Sequence, residues 1–149
     1  MTDIVGTILC ATRGGKPSLH TQQYAIKMAK ERDVDVLFLY VSNVEFLHNV
    51  APVKYQDVQE ELDNMGEFLL LMAKERAEKQ GVTASIIVKS GVFRDALIET
   101  AKDTQASMIV LGTPAEDSLI AREYLESLIV ELKEETGIEA TIVDHEDSE

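Results

Sequence analysis

Apolar residues in this chain come in two alternating textures. Short unbroken runs such as Val36-Leu37-Phe38-Leu39-Tyr40-Val41 and Met108-Ile109-Val110-Leu111 alternate with longer stretches where apolar positions recur every third or fourth residue. The first texture suits a strand buried on both faces, the second an amphipathic helix. Strands are predicted over residues 4–11, 35–42, 82–89, 107–111 and 138–143. Helices are predicted over 17–32, 55–80 and 92–104, with a fourth capped by Asp117 or Ser118 and running to 135. Their predicted inward stripes are Ala25, Met28 and Ala29; Val58, Leu62, Met65, Leu69 and Met72; Phe93, Leu97 and Ala101; and Ala121, Leu125, Leu128 and Leu132. Gly81 and Gly137 stop the second and fourth helices. Between the second strand and second helix lies a predicted loop, 43–54, carrying Phe46, Leu47 and Pro52.

Regular alternation of strand and helix predicts an α/β protein. The expected architecture is a single-domain, doubly wound, five-stranded parallel sheet, Rossmann-like, with helices on both faces. Right-handed crossovers leave few topologies, and the expected order is 3-2-1-4-5, with the first and fourth strands adjacent. The strand sequences alone do not force that adjacency. A length of 149 residues suits one domain, expected over 1–143, followed by an acidic mobile tail over 144–149.

Composition then narrows the function classes. The longest uninterrupted apolar runs, such as that over Phe68-Leu69-Leu70-Leu71-Met72, are far too short to cross a bilayer, so no membrane role is expected. The start of the chain carries Asp3 and no basic segment, and Cys10 is the single cysteine, which together predict a cytoplasmic protein. A net charge of −13 opposes nucleic-acid binding. The charge is uneven. Residues 1–32 hold Arg13, Lys16, Lys27, Lys30 and Arg32 against Asp3 and Glu31, whereas 113–149 hold two basic and twelve acidic residues. Arg13 and Lys16 thus form a local positive spot able to attract a small anion.

Two glycine-containing stretches follow predicted strands. Thr12-Arg13-Gly14-Gly15-Lys16 offers turning backbone N–H groups, a helix start and two full positive charges, a suitable setting for phosphate or carboxylate. It equally fits an ordinary strand-to-helix turn with Pro17 fixing the helix's first turn. It is not a Walker A loop, because Cys10 and Pro17 occupy positions that require glycine and a hydroxyl residue. In Gly112-Thr113-Pro114, Gly112 permits close approach and Thr113 offers a hydroxyl, or the three simply make a turn. With the first and fourth strands adjacent, both stretches line one crevice.

No catalytic residue is singled out. Cys10 reads as a buried, inert thiol. His20, His48 and His145 lack zinc-ligand spacing, so no metal is expected, and no nucleophile elbow is present. A phosphoreceiver would need acids where Thr12-Arg13 and Ser90-Gly91 stand. The run 68–72 is apolar all round its helix, to be buried under the 43–54 loop or offered to a partner.

The segments Ile8-Leu9-Cys10-Ala11-Thr12-Arg13-Gly14, Phe38-Leu39-Tyr40-Val41, Gly91 with the short helix after it, and Ser107-Met108-Ile109-Val110-Leu111-Gly112, in this order, resemble the universal stress protein family. The resemblance spans almost the whole chain. It implies a stress-response role and a homodimer paired along the edge strand 138–143. In one subgroup of the family it implies ATP or AMP beyond strands one and four, with adenine near the residue matching Val41. That subgroup carries Gly-x2-Gly-x9-Gly-Ser/Thr after strand four; counted from Gly112, this chain has Ala115, Leu125 and Glu126. Arg13 also replaces the acidic residue usual after strand one. The expected function is non-catalytic binding of an adenine nucleotide or other small anion by Thr12, Arg13, Gly14, Gly15, Lys16, Val41, Gly112, Thr113 and Pro114. No cofactor is required, and a further protein partner is left unspecified. The alternatives are a slow ATP-hydrolysing enzyme and a ligand-free dimeric interaction module working through 68–72.

Overall fold

The branched runs extend into strands because a pleated backbone can pack their side chains on both faces at once, and the periodic stretches coil into helices laid against them. A computed structural model describes residues 6–12, 16–42, 52–112 and 119–143; the side chains of 16–18, 52–56 and 119–122 lie outside the description. Its first half runs β1 (Ile8–Ala11), α1 (Lys16–Arg32), β2 (Val36–Ser42), α2 (Pro52–Lys79) and β3 (Ala84–Ser90). Then follow α3 (Phe93–Thr104), β4 (Met108–Gly112), α4 (Leu119–Thr136) and β5 (Ala140–Val143). The sheet order is β3-β2-β1-β4-β5 with every pairing parallel, as the alternation predicts.

The sheet divides the core in two. Ile8, Cys10, Val36, Phe38, Met108 and Val110 pack with Ala25, Ile26 and Ala29 of α1 and Leu70, Ala73 and Ala77 of α2. Leu9, Ala11, Leu37, Leu39, Ile109 and Leu111 pack on the other face with Leu97 and Ala101 of α3 and Leu125, Leu128 and Leu132 of α4.

Several boundaries differ from expectation for identifiable reasons. β1 begins at Ile8 rather than earlier: Gly6 has φ +109°, outside extended geometry, and its carbonyl accepts a hydrogen bond from the Ser107 hydroxyl at 2.9 Å. α2 starts at Pro52, inside the predicted loop, since proline is well placed in a helix's first turn. Its inward stripe also shifts. Gly66, Leu70, Ala73 and Ala77 face the sheet, while Met65 and Met72 are exposed. Gly81, at φ +86°, and Gly137, at φ +75°, follow the ends of α2 and α4 as predicted. The tail 144–149 and the expected cap at Asp117 or Ser118 lie outside the described residues.

Candidate functional site

Parallel pairing carries the carboxyl ends of β2, β1 and β4 to one edge of the sheet. Leu39 aligns with Ala11, and Cys10 with Val110, so the same registers carried forward bring Thr12 level with Tyr40 and Gly112. The Thr12 amide extends the ladder by donating to the Leu39 carbonyl at 2.9 Å. Order changes direction here, since β1 leads through α1 to β2 on one side while β4 lies on the other. Such a switch point is where doubly wound sheets open a crevice.

Thr12 is held from below. It is 6% exposed, and its hydroxyl oxygen accepts a hydrogen bond of 3.2 Å from Gln22 Nε2 in α1. The other end of that amide, Gln22 Oε1, accepts from the Arg76 guanidinium of α2 at 2.5 Å. Gln22 is itself 3% exposed, so both ends of a buried amide are satisfied, as burial requires. The resulting line Thr12–Gln22–Arg76 ties the end of the central strand to both helices of one layer.

Gly112 ends β4 beside this line. A side chain there would overlap the Thr21 hydroxyl, so its glycine identity is accounted for by the close approach of α1. Val41 lies on the opposite face, half-buried against the core beneath α3 and α4. Beside Val41, the Ser42 hydroxyl donates to Asp63 Oδ1 at 2.6 Å and accepts from Gln59 Nε2 at 2.7 Å, pinning the end of β2 to α2. The Ser42 carbonyl accepts from the Gly91 amide at 3.0 Å, which fastens the start of the loop into α3.

Of the predicted site residues, the structure thus brings Thr12, Val41 and Gly112 to one edge. Lys16 opens α1 just beyond Thr12, with its side chain outside the description. Arg13, Gly14, Gly15, Thr113 and Pro114 lie outside the described residues, as do Phe46 and Leu47. Sequence reasoning missed Gln22, Arg76 and the Ser42–Gln59–Asp63 cluster. One signal was present: Thr21 and Gln22 sit four residues before Ala25 and Ile26, on the buried stripe of α1, where polar residues need partners. Cys10 is fully buried, and that burial pushes its thiol pKa up, away from reactivity. Among the described residues, no group of His, Cys, Asp and Glu could hold a metal, and no helix is long and apolar enough to cross a membrane.

A doubly wound, five-stranded parallel sheet of this order, with helices on both faces, defines a class of Rossmann-like α/β folds. Within it this chain belongs to the universal stress protein family, whose profile (Universal stress protein family) matches residues 5–143. A universal stress protein of Methanocaldococcus jannaschii is 32% identical over 113 residues, covering 75% of this chain and 66% of that protein. The aligned part is therefore just under two thirds of the relative's length.

Solved structures share the fold. A universal stress protein in complex with cAMP superposes with TM-score 0.70 at 19% identity, covering 95% of this chain and 98% of that one. The universal stress protein from Archaeoglobus fulgidus in complex with dAMP gives TM-score 0.59 at 14% identity, covering 95% and 99%. The departures from the subgroup pattern have a structural setting: Leu125 and Glu126 fall inside α4, with Leu125 in the core and Glu126 exposed.

Proposed function

We propose that this chain is a non-catalytic binding protein that takes an adenine mononucleotide, or a small anion of that kind, beyond the carboxyl ends of β1, β2 and β4. The observation that carries the reading is that β1, β2 and β4 end together at the switch point, bringing Thr12, Val41 and Gly112 to one edge, with Thr12 fixed by Gln22 and Arg76. Val41 supplies an apolar wall, and Arg13 and Lys16 positive charge for phosphate. Relatives solved with cAMP and dAMP support a mononucleotide. The positions that carry Gly-Ser/Thr in the triphosphate-binding subgroup hold Leu125 and Glu126 here, within a helix; that favours one phosphate over three.

Isothermal titration of the full chain with AMP, cAMP and ATP tests this. AMP or cAMP should bind more tightly than ATP, and Arg13→Ala with Lys16→Ala should weaken AMP binding about tenfold or more, the scale of one lost charge-assisted contact. Unchanged affinity in the double variant would remove the anion role. Steady release of product from ATP over hours would instead favour an enzyme.

A further inference from the structure

The longest helix, α2, carries an apolar surface that the other described elements leave exposed. α2 needs only Gly66, Leu70, Ala73 and Ala77, with partial cover from its flanks, to seal its side of the sheet. On its outer side Met65, Phe68, Leu71 and Met72 are 48%, 62%, 47% and 42% exposed. Spacings of three and four place Met65, Phe68 and Met72 in one row, with Leu71 a turn beyond Phe68. Single exposed apolar residues are ordinary, but four large ones in one patch are not.

The rim of that patch is acidic. Asp57, Glu60, Glu61, Glu67 and Glu75 are all exposed on α2 around it. The nearby lysines are engaged with acids on the same helix: Lys74 with Glu78 at 2.8 Å, and Lys79 with Glu75 at 3.9 Å. The whole chain adds to this field with its net charge of −13.

We infer that the outer face of α2 is a docking surface for a basic amphipathic segment of another protein. Apolar anchors at helical spacing would seat on Phe68 and Leu71, with the flexible side chains of Met65 and Met72 adapting to their shape. Lysines or arginines beside those anchors would meet the acidic rim, which speeds encounter and selects against acidic partners. A second copy of this chain fits poorly. Antiparallel α2 helices centred on Phe68 would set Glu61 of one against Glu75 of the other, and parallel helices would set each acid against itself. An anionic membrane surface is repelled for the same reason.

The probe is a fluorescent synthetic helix of about five turns, built of leucine and lysine with leucines on one face. Binding to the full chain is followed by anisotropy. The controls are a peptide of identical composition with scattered leucines and a leucine–glutamate helix. The wild-type chain should bind the amphipathic basic helix in preference to both controls. Phe68→Ser with Met72→Ser should weaken that binding about tenfold or more, and Glu61→Lys with Glu75→Lys should turn the preference toward the acidic helix.

All four side chains are exposed, so both variants should keep the wild-type thermal unfolding curve and wild-type AMP affinity. Three results would each overturn the proposal: no binding of the basic helix, equal binding of the scattered peptide, or unchanged affinity in the serine variant. Sedimentation equilibrium adds a fourth. If the serine variant converts a dimer to a monomer, the face belongs to a second copy.

Discussion

Gly66 of α2 rests on the ring of Tyr40, which a methyl group at this position would overlap. Two effects oppose each other in Gly66→Ala. Helix propensity favours alanine by about 1 kcal/mol, while overpacking costs roughly 1–3 kcal/mol. The expected outcome in urea unfolding is a net loss of about 1 kcal/mol in the wild type and a gain of similar size in a Tyr40→Ala background. Equal effects in both backgrounds would show that the ring is not the obstacle. The same glycine explains why the stripe of α2 was misread. Pattern reading ranks positions by side-chain size, so Met65, Leu69 and Met72 looked inward. Close packing on a strand instead selects small residues, and Gly66, Ala73 and Ala77 took the buried positions.

α3 and α4 are joined across their outer surfaces by a charged clamp. Arg94 pairs with Glu131 of α4 and with Asp95 on its own helix, the latter at 2.7 Å. The hydrogen bond from Arg94 holds Glu131 below the usual carboxylate range, with burial opposing in part. A carboxyl depressed in the folded state stabilises the fold above its unfolded pKa, about 4.3 for glutamate, and that contribution is lost as pH falls through the lower folded value. Glu131→Gln should therefore lose less stability than the wild type as pH falls below about 4.3, measured by urea unfolding at each pH. Parallel pH curves would exclude the clamp as a source of acid sensitivity. Element identity was legible because unbroken apolar runs differ sharply from stretches whose apolar positions recur every third or fourth residue. Element ends were less so, since they depend on contacts such as Ser107 with Gly6, a hundred residues apart. The candidate site divides the same way. The meeting of Thr12 and Gly112 follows from strand order, a rule of the fold. The support from Gln22 and Arg76 depends on how α1 packs against α2, across 54 residues of sequence.

Among the described residues, the sheet ends in two strands with unpaired outer sides, β3 and β5. We propose that a second copy pairs along β5, whose four residues are all half-buried in the single chain. Sedimentation equilibrium should then give about twice the monomer mass of 16.5 kDa. Because the native thiol of Cys10 is fully buried, a cysteine introduced by Thr141→Cys supplies a selective probe of the edge. A short bis-maleimide should join two such chains in high yield. A monomer mass sinks the pairing, and a dimer that resists crosslinking moves it elsewhere.

β1 is four residues long, yet it is the wall shared by both halves of the core: Ile8 and Cys10 face one, Leu9 and Ala11 the other. Sliding it by a single position would exchange those contents, thrusting leucine where a thiol fits in one direction and a thiol where leucine is needed in the other. A short partition of this kind permits one alignment only, since a slide one way crowds both faces and a slide the other way opens voids on both.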